Sequence, residues 1–305
     1  MIIKKETKNG IAIYTVEKDY DDDKMSGQMN KFIKPEQIKN IIRDDADVYT
    51  EDGKLLLLFR KNKLSKENID TFYDNIVDFA RNVTTNRGNA SGSKNPSNMR
   101  ENPKVMSNIF GYFDRWSPAQ KFIFKNKHMH PSIDVRECRF NMNNPEKYKK
   151  TFPLIKEIDK FYEKYTPDKY KLQRRKANQT YFKIPDTAFT TVTTNINYQT
   201  TIHTDKGDDD EGFGNLAVIE HGDYKGGETC FPQYGVGVDV RTGDVLYMDV
   251  HQPHANLPIK KDSEDAVRLS IVCYLRKQVW LKTKNRTYKF RERHNKTVKR
   301  ILKKN

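Results

Sequence analysis

From Tyr181 onward the sequence is a succession of short strand-type runs cut by turn residues, and this pattern restricts the fold more than any other feature of the chain. Residues 187–197 are rich in Thr and Val, and residues 216–220, 228–231, 236–240, 244–250 and 267–275 are each of strand length. Gly, Asp and Pro separate them in HGDYKGG, RTGD and HQPH. Many short strands with turns between them predict a sandwich or barrel, because a parallel α/β sheet needs a helix between successive strands. Upstream the pattern is mixed. Residues 11–16 and 54–59 read as strands, residues 19–23 as an acidic turn and residues 38–42 as helical. Ile69, Phe72, Ile76 and Phe79 recur at helical spacing and predict an amphipathic helix ending near Arg81. Phe152, Ile155, Ile158, Phe161 and Tyr162 predict one helix over residues 147–165, followed by a basic stretch at 168–177. Residues 82–104 are dominated by Asn, Ser, Gly and Pro and predict a long loop. The class is therefore α+β.

Composition excludes several classes. No segment approaches the roughly 20 apolar residues of a membrane span, and MIIKKETKNG lacks the apolar core of a secretory signal. An intracellular protein is expected, nuclear if its source is eukaryotic. Three cysteines, Cys138, Cys230 and Cys273, form neither a disulfide framework nor a zinc signature, and reduced thiols are expected. The net charge is +15, and residues 276–305 hold 13 Lys/Arg against the single acid Glu292. A basic surplus of this kind suits a polyanionic partner, DNA above all, although a solvated basic tail has the same composition.

The chemistry concentrates in the strand-rich half. His203-Thr-Asp205 follows one strand-type run, and a second histidine ends the strand GDVLYMDV, either His251 or His254. Two imidazoles and a carboxylate on one face of an octahedron leave three positions open, which is the facial triad of non-haem Fe(II) oxygenases. The open positions suit a chelating 2-oxoglutarate and O2. Arg268 follows His254 by fourteen residues, in the next strand VRLSIVCYL. A guanidinium there can grip the distal carboxylate of 2-oxoglutarate with two parallel charge-assisted hydrogen bonds. HxD, a distal His ending a strand, and an Arg in the next strand make a specific constellation; HxD alone does not. His128-x-His130, His221 and His294 have no matching partners and read as surface or structural residues.

The runs TVTTNINYQTTIHTDKGD, GNLAVIEHGDYKGGE, GDVLYMDVHQPHANLPI and RLSIVCYLR resemble the TET/JBP family of nucleic-acid base dioxygenases. The likeness is strongest to the thymine-hydroxylating oxygenase domain of the kinetoplastid J-binding proteins. It is firm over residues 181–276 and looser over 82–118, where SNIFGYFD shares it. The resemblance implies a double-stranded β-helix of jelly-roll, cupin-like type braced by helices. It implies His203, Asp205 and His254 as iron ligands, choosing His254 over His251 through His254-Ala-Asn256. It implies Arg268 as the 2-oxoglutarate anchor. The implied reaction couples decarboxylation of 2-oxoglutarate to hydroxylation of a pyrimidine 5-methyl group in DNA.

A duplex hides that methyl, so the nucleotide must be flipped out or single-stranded. Asp208, three residues past Asp205, is the candidate base contact, since a carboxylate accepts thymine N3–H. The resemblance therefore leans to thymine, giving 5-hydroxymethyluracil, with 5-methylcytosine as the alternative. Asn195 is a candidate for positioning the oxo-acid or a ligand. Arg276, the stretch KLQRRK, the loop from Arg87 to Lys104 and the C-terminal segment are candidate phosphate contacts. A prolyl-type protein hydroxylase is a rival, but it uses lysine where this chain has Arg268. A non-catalytic nucleic-acid binder would be expected to lack one of these ligands. The domain reading is an N-terminal bracing region (1–80), a dioxygenase domain (81–276, core 181–276) and a basic tail (277–305).

Overall fold

The structure, a computed structural model, describes residues 1–303. The chain divides into two compact units. The first comprises Met1–Asn108, Thr193–Lys206 and Phe213–Val272; the second comprises Ile109–Val192, Gly207–Gly212 and the segment from Cys273 onward. The strands in chain order are β1 (Ile2–Lys8), β2 (Ile11–Val16), β3 (Asn40–Ile42), β4 (Ala46–Thr50), β5 (Leu55–Arg60), β6 (Met106–Phe113), β7 (Arg136–Glu137) and β8 (Thr191–Ile196). They continue with β9 (Gly214–His221), β10 (Tyr224–Gly226), β11 (Thr229–Phe231), β12 (Val236–Val238), β13 (Val245–Met248), β14 (Ala255–Asn256), β15 (Ile259–Lys261) and β16 (Val267–Tyr274). The chain passes between the units within β6, β8 and β16.

In the first unit the larger sheet runs β1-β2-β4-β5-β13-β9-β16-β8 and the smaller runs β14-β11-β12-β3. From β9 to β16 the chain alternates between them: β9 in the larger, β11 and β12 in the smaller, β13 in the larger, β14 in the smaller, β16 in the larger. That alternation is the double-stranded β-helix expected from the resemblance. Leu57, Phe59, Leu216, Val218, Leu246 and Met248 of the larger sheet meet Ile42, Phe231, Val236 and Val238 of the smaller in one apolar cluster. The i, i+2 spacing within β5, β9, β12 and β13 puts each pair on one sheet face, so burial fixes the strand register.

The first 60 residues supply five of these strands. Residues 38–42, expected as helical, instead follow a 3-10 turn at Pro35–Gln37 and lead into β3, which pairs in parallel with β12 (Val236↔Asn40, Val238↔Ile42). Five residues are too few for periodicity to separate helix from strand, and pairing with β12 decides. In the acidic segment 19–23, Asp21 caps α1 (Asp22–Ser26) by accepting from Lys24 N at 2.7 Å. The helix α2 (Lys66–Ala80) buries Ile69, Phe72 and Ile76 and ends at Arg81, as its periodicity predicts. The loop of residues 82–104 is closed by a bridge between Thr84 and Val105 and tied internally by Asn102 Nδ2, which donates to Thr85 O at 2.8 Å.

The second unit contains β6 paired antiparallel with β7, and α3 (Pro118–Asn126), α4 (Arg139–Asn143), α5 (Pro145–Lys150), α6 (Phe152–Tyr165), α7 (Pro167–Ala177), α8 (Lys277–Thr283) and α9 (Tyr288–Leu302). The single helix expected over 147–165 is two, divided at Thr151, because Pro153 has no N–H to donate and starts a new helix more readily than it continues one. The basic segment at the C-terminus is not a solvated tail. It forms α8 and α9, whose Val298 and Ile301 pack with Trp116 and Phe124, while Val279 packs with Tyr112, Val135 and Phe182. His294 is also buried, its Nε2 2.7 Å from Val135 O. Cys138, Cys230 and Cys273 are buried and unpaired. Among the described residues no helix is long and apolar enough to cross a membrane.

Candidate active site

His203 and His254 are brought together by backbone pairing. They face each other in an antiparallel bridge, with His203 N donating to His254 O at 3.0 Å and His254 N donating to His203 O at 2.9 Å. Directly opposed residues in such a bridge project to the same side, and the imidazole centroids lie 4.5 Å apart. Asp205 N donates to Val250 O at 2.9 Å, which fixes the third side chain against the same partner segment. Asp205 Oδ1 is 3.9 Å from His203 Nε2 and its Oδ2 is 3.7 Å from His254 Nε2. One ligating atom from each of the three residues lies within 4.8 Å of the other two.

The tautomers are set by the backbone. His203 Nδ1 is 2.7 Å from Thr201 O, and His254 Nδ1 is 2.9 Å from Gln252 O. A carbonyl accepts only, so each Nδ1 carries a proton and each Nε2 is the ring nitrogen left facing the carboxylate. Burial, reinforced by the neighbouring His203, pushes the His254 imidazolium pKa down to about 4, so this ring is a neutral donor. Two imidazole nitrogens and a carboxylate are a donor set that fits a divalent iron with open positions. His251, the competing histidine, is outside the cluster. Asn256 braces the arrangement: its Oδ1 accepts from Thr200 N and Thr200 Oγ1, both at 2.9 Å, and its Nδ2 donates to Tyr198 O at 3.3 Å.

Arg268 is 5% exposed on β16, and among the described residues its guanidinium makes no ion pair. Its backbone is locked to Asn197, with Arg268 N donating to Asn197 Oδ1 at 2.8 Å. Of the two acids that act on it through space, Glu220 is already engaged: it accepts from Tyr224 OH at 2.8 Å and from Arg241 Nη1 at 3.0 Å. Glu228 has a buried Oε2 with no hydrogen-bond partner. Burial lowers the Arg268 pKa, with Tyr224 and Glu220 opposing. Among the described residues Glu220 and Glu228 act on this buried cation only through space and neither forms an ion pair with it, so its hydrogen-bonding edge is left for another anion. Gly226 and Gly227 both have positive φ, at +83° and +81°. A Cβ at Gly227 would stand 2.7 Å from Arg268 Nε, so the bare backbone makes the bed on which this arginine lies.

Asn195 is tied on both sides, its Oδ1 accepting from Ser107 Oγ at 2.6 Å and its Nδ2 donating to Ser270 Oγ at 3.2 Å. Arg87 Nε donates to the same Ser107 Oγ at 2.9 Å. In the second unit Asp208 is 6% exposed and bridged to Arg276. The Arg276 side chain is 13% exposed, its Nε donates to Asp114 Oδ1, and its guanidinium lies 4.4 Å over the Phe113 ring. Arg276, a candidate for phosphate contact from its place just past a strand, is thus engaged by Asp114 and Phe113. In KLQRRK, Lys176 is held by Asp209 and Glu211, and Arg174 lies 3.8 Å from Asp159. Sequence reading missed Tyr224, Glu220, Arg241, Ser107 and Ser270, because nothing in spacing predicts which distant strands become neighbours.

Residues 121–277 match the Tet_JBP family, the oxygenase domain of the 2OGFeDO superfamily. Similar proteins include the bifunctional helicase and thymine dioxygenase JBP2 of Leishmania braziliensis, 35% identical over 46% of this chain and 13% of that protein. The thymine dioxygenase JBP1 of Trypanosoma brucei brucei is 32% identical over 56% of this chain and 19% of its own length. JBP1 of Crithidia fasciculata is 29% identical over 77% of this chain and 26% of its own. The chain thus spans about a quarter or less of the length of these relatives. Among solved structures, NgTET1 in complex with 5mC DNA superposes with a TM-score of 0.53 at 13% identity, covering 88% of this chain and 84% of that one.

Proposed function

Because this chain belongs to the Tet_JBP family of iron(II)- and 2-oxoglutarate-dependent oxygenases, we propose that it hydroxylates the 5-methyl group of a pyrimidine base in DNA, thymine first. In this reading His203, Asp205 and His254 hold the iron, Arg268 binds the distal carboxylate of 2-oxoglutarate, and Asp208 contacts the base. The observation that carries it is Arg268: a buried guanidinium in no ion pair among the described residues, held on a strand of the same unit as the triad, is a site built for a small carboxylate. Bound iron with its co-substrate supplies the oxidising power. The residues of the chain contribute positioning: the Nδ1 hydrogen bonds orient both imidazoles, and Gly227 leaves room for the guanidinium.

DNA as substrate is supported by the names of the relatives, which are thymine dioxygenases, and by the basic surplus of the chain. Asp208 leans to thymine, whose N3–H is a donor where N3 of 5-methylcytosine is an acceptor, although the cytosine amino group also offers a donor to a carboxylate. The test is mass spectrometry of nucleosides after incubation with Fe(II), 2-oxoglutarate, ascorbate and DNA containing both bases. 5-Hydroxymethyluracil is the expected product. 5-Hydroxymethylcytosine alone overturns the base assignment and keeps the chemistry; succinate without either product overturns DNA as substrate.

A further inference from the structure

The helix α9 has two faces of opposite character. Phe290, His294, Val298 and Ile301 turn inward, the last three each under 5% exposed. Lys289, Arg293, Lys296, Arg300 and Lys303 recur at spacings of four and three on the other side, and all are exposed. Among the described residues none of the five, nor exposed Lys299, forms an ion pair. Glu292 is the only acid in the helix, and Arg291 takes it.

Some exposed lysines elsewhere have acidic partners, while others, such as Lys121, Lys125 and Lys160, have none among the described residues. Lys18 pairs with Asp22, Lys66 with Asp70, Lys149 with Glu146 and Lys156 with Asp186. Like charges three and four apart on a helix repel and destabilise it, whereas i, i+4 pairs such as Lys66 with Asp70 stabilise theirs. A face of six cations with the one acid Glu292, itself paired with Arg291, keeps a net positive charge against that repulsion and has the character of a surface completed by an outside anion. The spacing suits a polymer: fourteen residues from Lys289 to Lys303 span about 21 Å at 1.5 Å per residue, enough for several successive phosphates of a nucleic-acid strand. Beside this face runs a groove of about 670 Å³ where the cations Arg291, Arg293, Lys296 and Lys299 outnumber the acids Glu137 and Glu292, with Asn295 among them. Asn295 Oδ1 is buried there without a hydrogen-bond partner, an acceptor that a sugar hydroxyl or base amino group would satisfy.

We propose that the cationic face of α9, with the groove beside it, is a docking surface for the phosphate backbone of a nucleic-acid strand, separate from the residues that hold iron and oxo-acid. The inference rests on DNA being the substrate. Phosphate contacts of this kind position the duplex and carry no sequence information. Truncation is a poor test, because α9 contributes buried residues to the second unit. Glutamine substitution preserves helix propensity, so the variant is R293Q/K296Q/K299Q in the full chain. Binding of a fluorescent duplex is followed by anisotropy across a salt series. The expected result is weaker binding, with the slope of log K against log salt shallower by about 0.9 for each phosphate no longer neutralised, and DNA-independent succinate formation unchanged. A control variant, K149Q/K156Q on other helices, should keep the parent slope. Parent-like affinity and slope in the triple variant would overturn the inference while leaving the enzyme reading intact. A parent chain that forms succinate yet binds no DNA at any salt would overturn the substrate reading and this inference with it.

Discussion

Two arginines eight residues apart are both largely buried, and they are not alike. Arg268 lies on β16 with no carboxylate bound to its guanidinium. Arg276 just beyond the strand is held by Asp114, stacks over Phe113 and donates its backbone N–H to Thr190 Oγ1 at 2.8 Å. The sequence motif RLSIVCYLR contains both, and nothing in it separates a guanidinium in no ion pair from an internal brace. The environments do. A charge satisfied by the protein contributes to folding, whereas a buried charge left unsatisfied is maintained at a cost and marks where a ligand completes the structure.

Four substitutions would break or sharpen this contrast. Asp205→Ala has the largest expected effect. It should reduce succinate formation below detection while leaving DNA binding and thermal stability close to those of the parent; retained turnover would remove Asp205 from the metal site. Arg276→Met comes next. It strands Asp114 in the interior and should cost about 3–5 kcal/mol of stability, read as a lowered unfolding midpoint in denaturant; a midpoint unchanged from the parent would show that Arg276 is no brace. Arg268→Met should do the reverse, leaving the midpoint unchanged or raised while the KM for 2-oxoglutarate climbs roughly 10- to 100-fold, as expected for losing about 1.5–3 kcal/mol of charged hydrogen bonding. If Arg268→Met instead destabilised the fold and spared the KM, the assignment of the two arginines would have to be exchanged. Gly227→Ala is the mildest. Its Cβ would press on Arg268 Nε, and a rise of several-fold in the 2-oxoglutarate KM is expected at nearly constant iron affinity. A KM equal to that of the parent would mean that the bed beneath Arg268 is not restrictive.

Much of the fold is legible wherever burial imposes a period. The strands β8, β9, β11, β12, β13 and β16 and the helix α2 fall where the sequence pattern places them, whereas the short β10, β14 and β15 are not legible in it, β10 lying in a run that reads as a turn. The segment 38–42 reads as helical and is not, since five residues carry too little periodicity and β3 exists by virtue of its pairing with β12. The C-terminal segment reads as a basic tail because cations dominate its composition; the apolar positions Phe290, His294, Val298 and Ile301 are the signal of α9, diluted among the charges.

Residue types and their order along the chain determined the chemistry on offer: HxD, a distal histidine and an arginine suffice to name an iron and oxo-acid constellation, because ligand identity is a property of side chains. Choosing among equals required the tertiary structure. It placed His254 and not His251 opposite His203 through a two-hydrogen-bond bridge. Among the described residues it left Arg268 in no ion pair and gave Asp114 to Arg276. It also kept the cations on the outer face of α9 unpaired while partnering Arg174 and Lys176 of α7. The physical reason is the same in each case: whether a charged or ligating group is satisfied depends on neighbours brought from distant parts of the chain, and one-dimensional spacing does not contain that information.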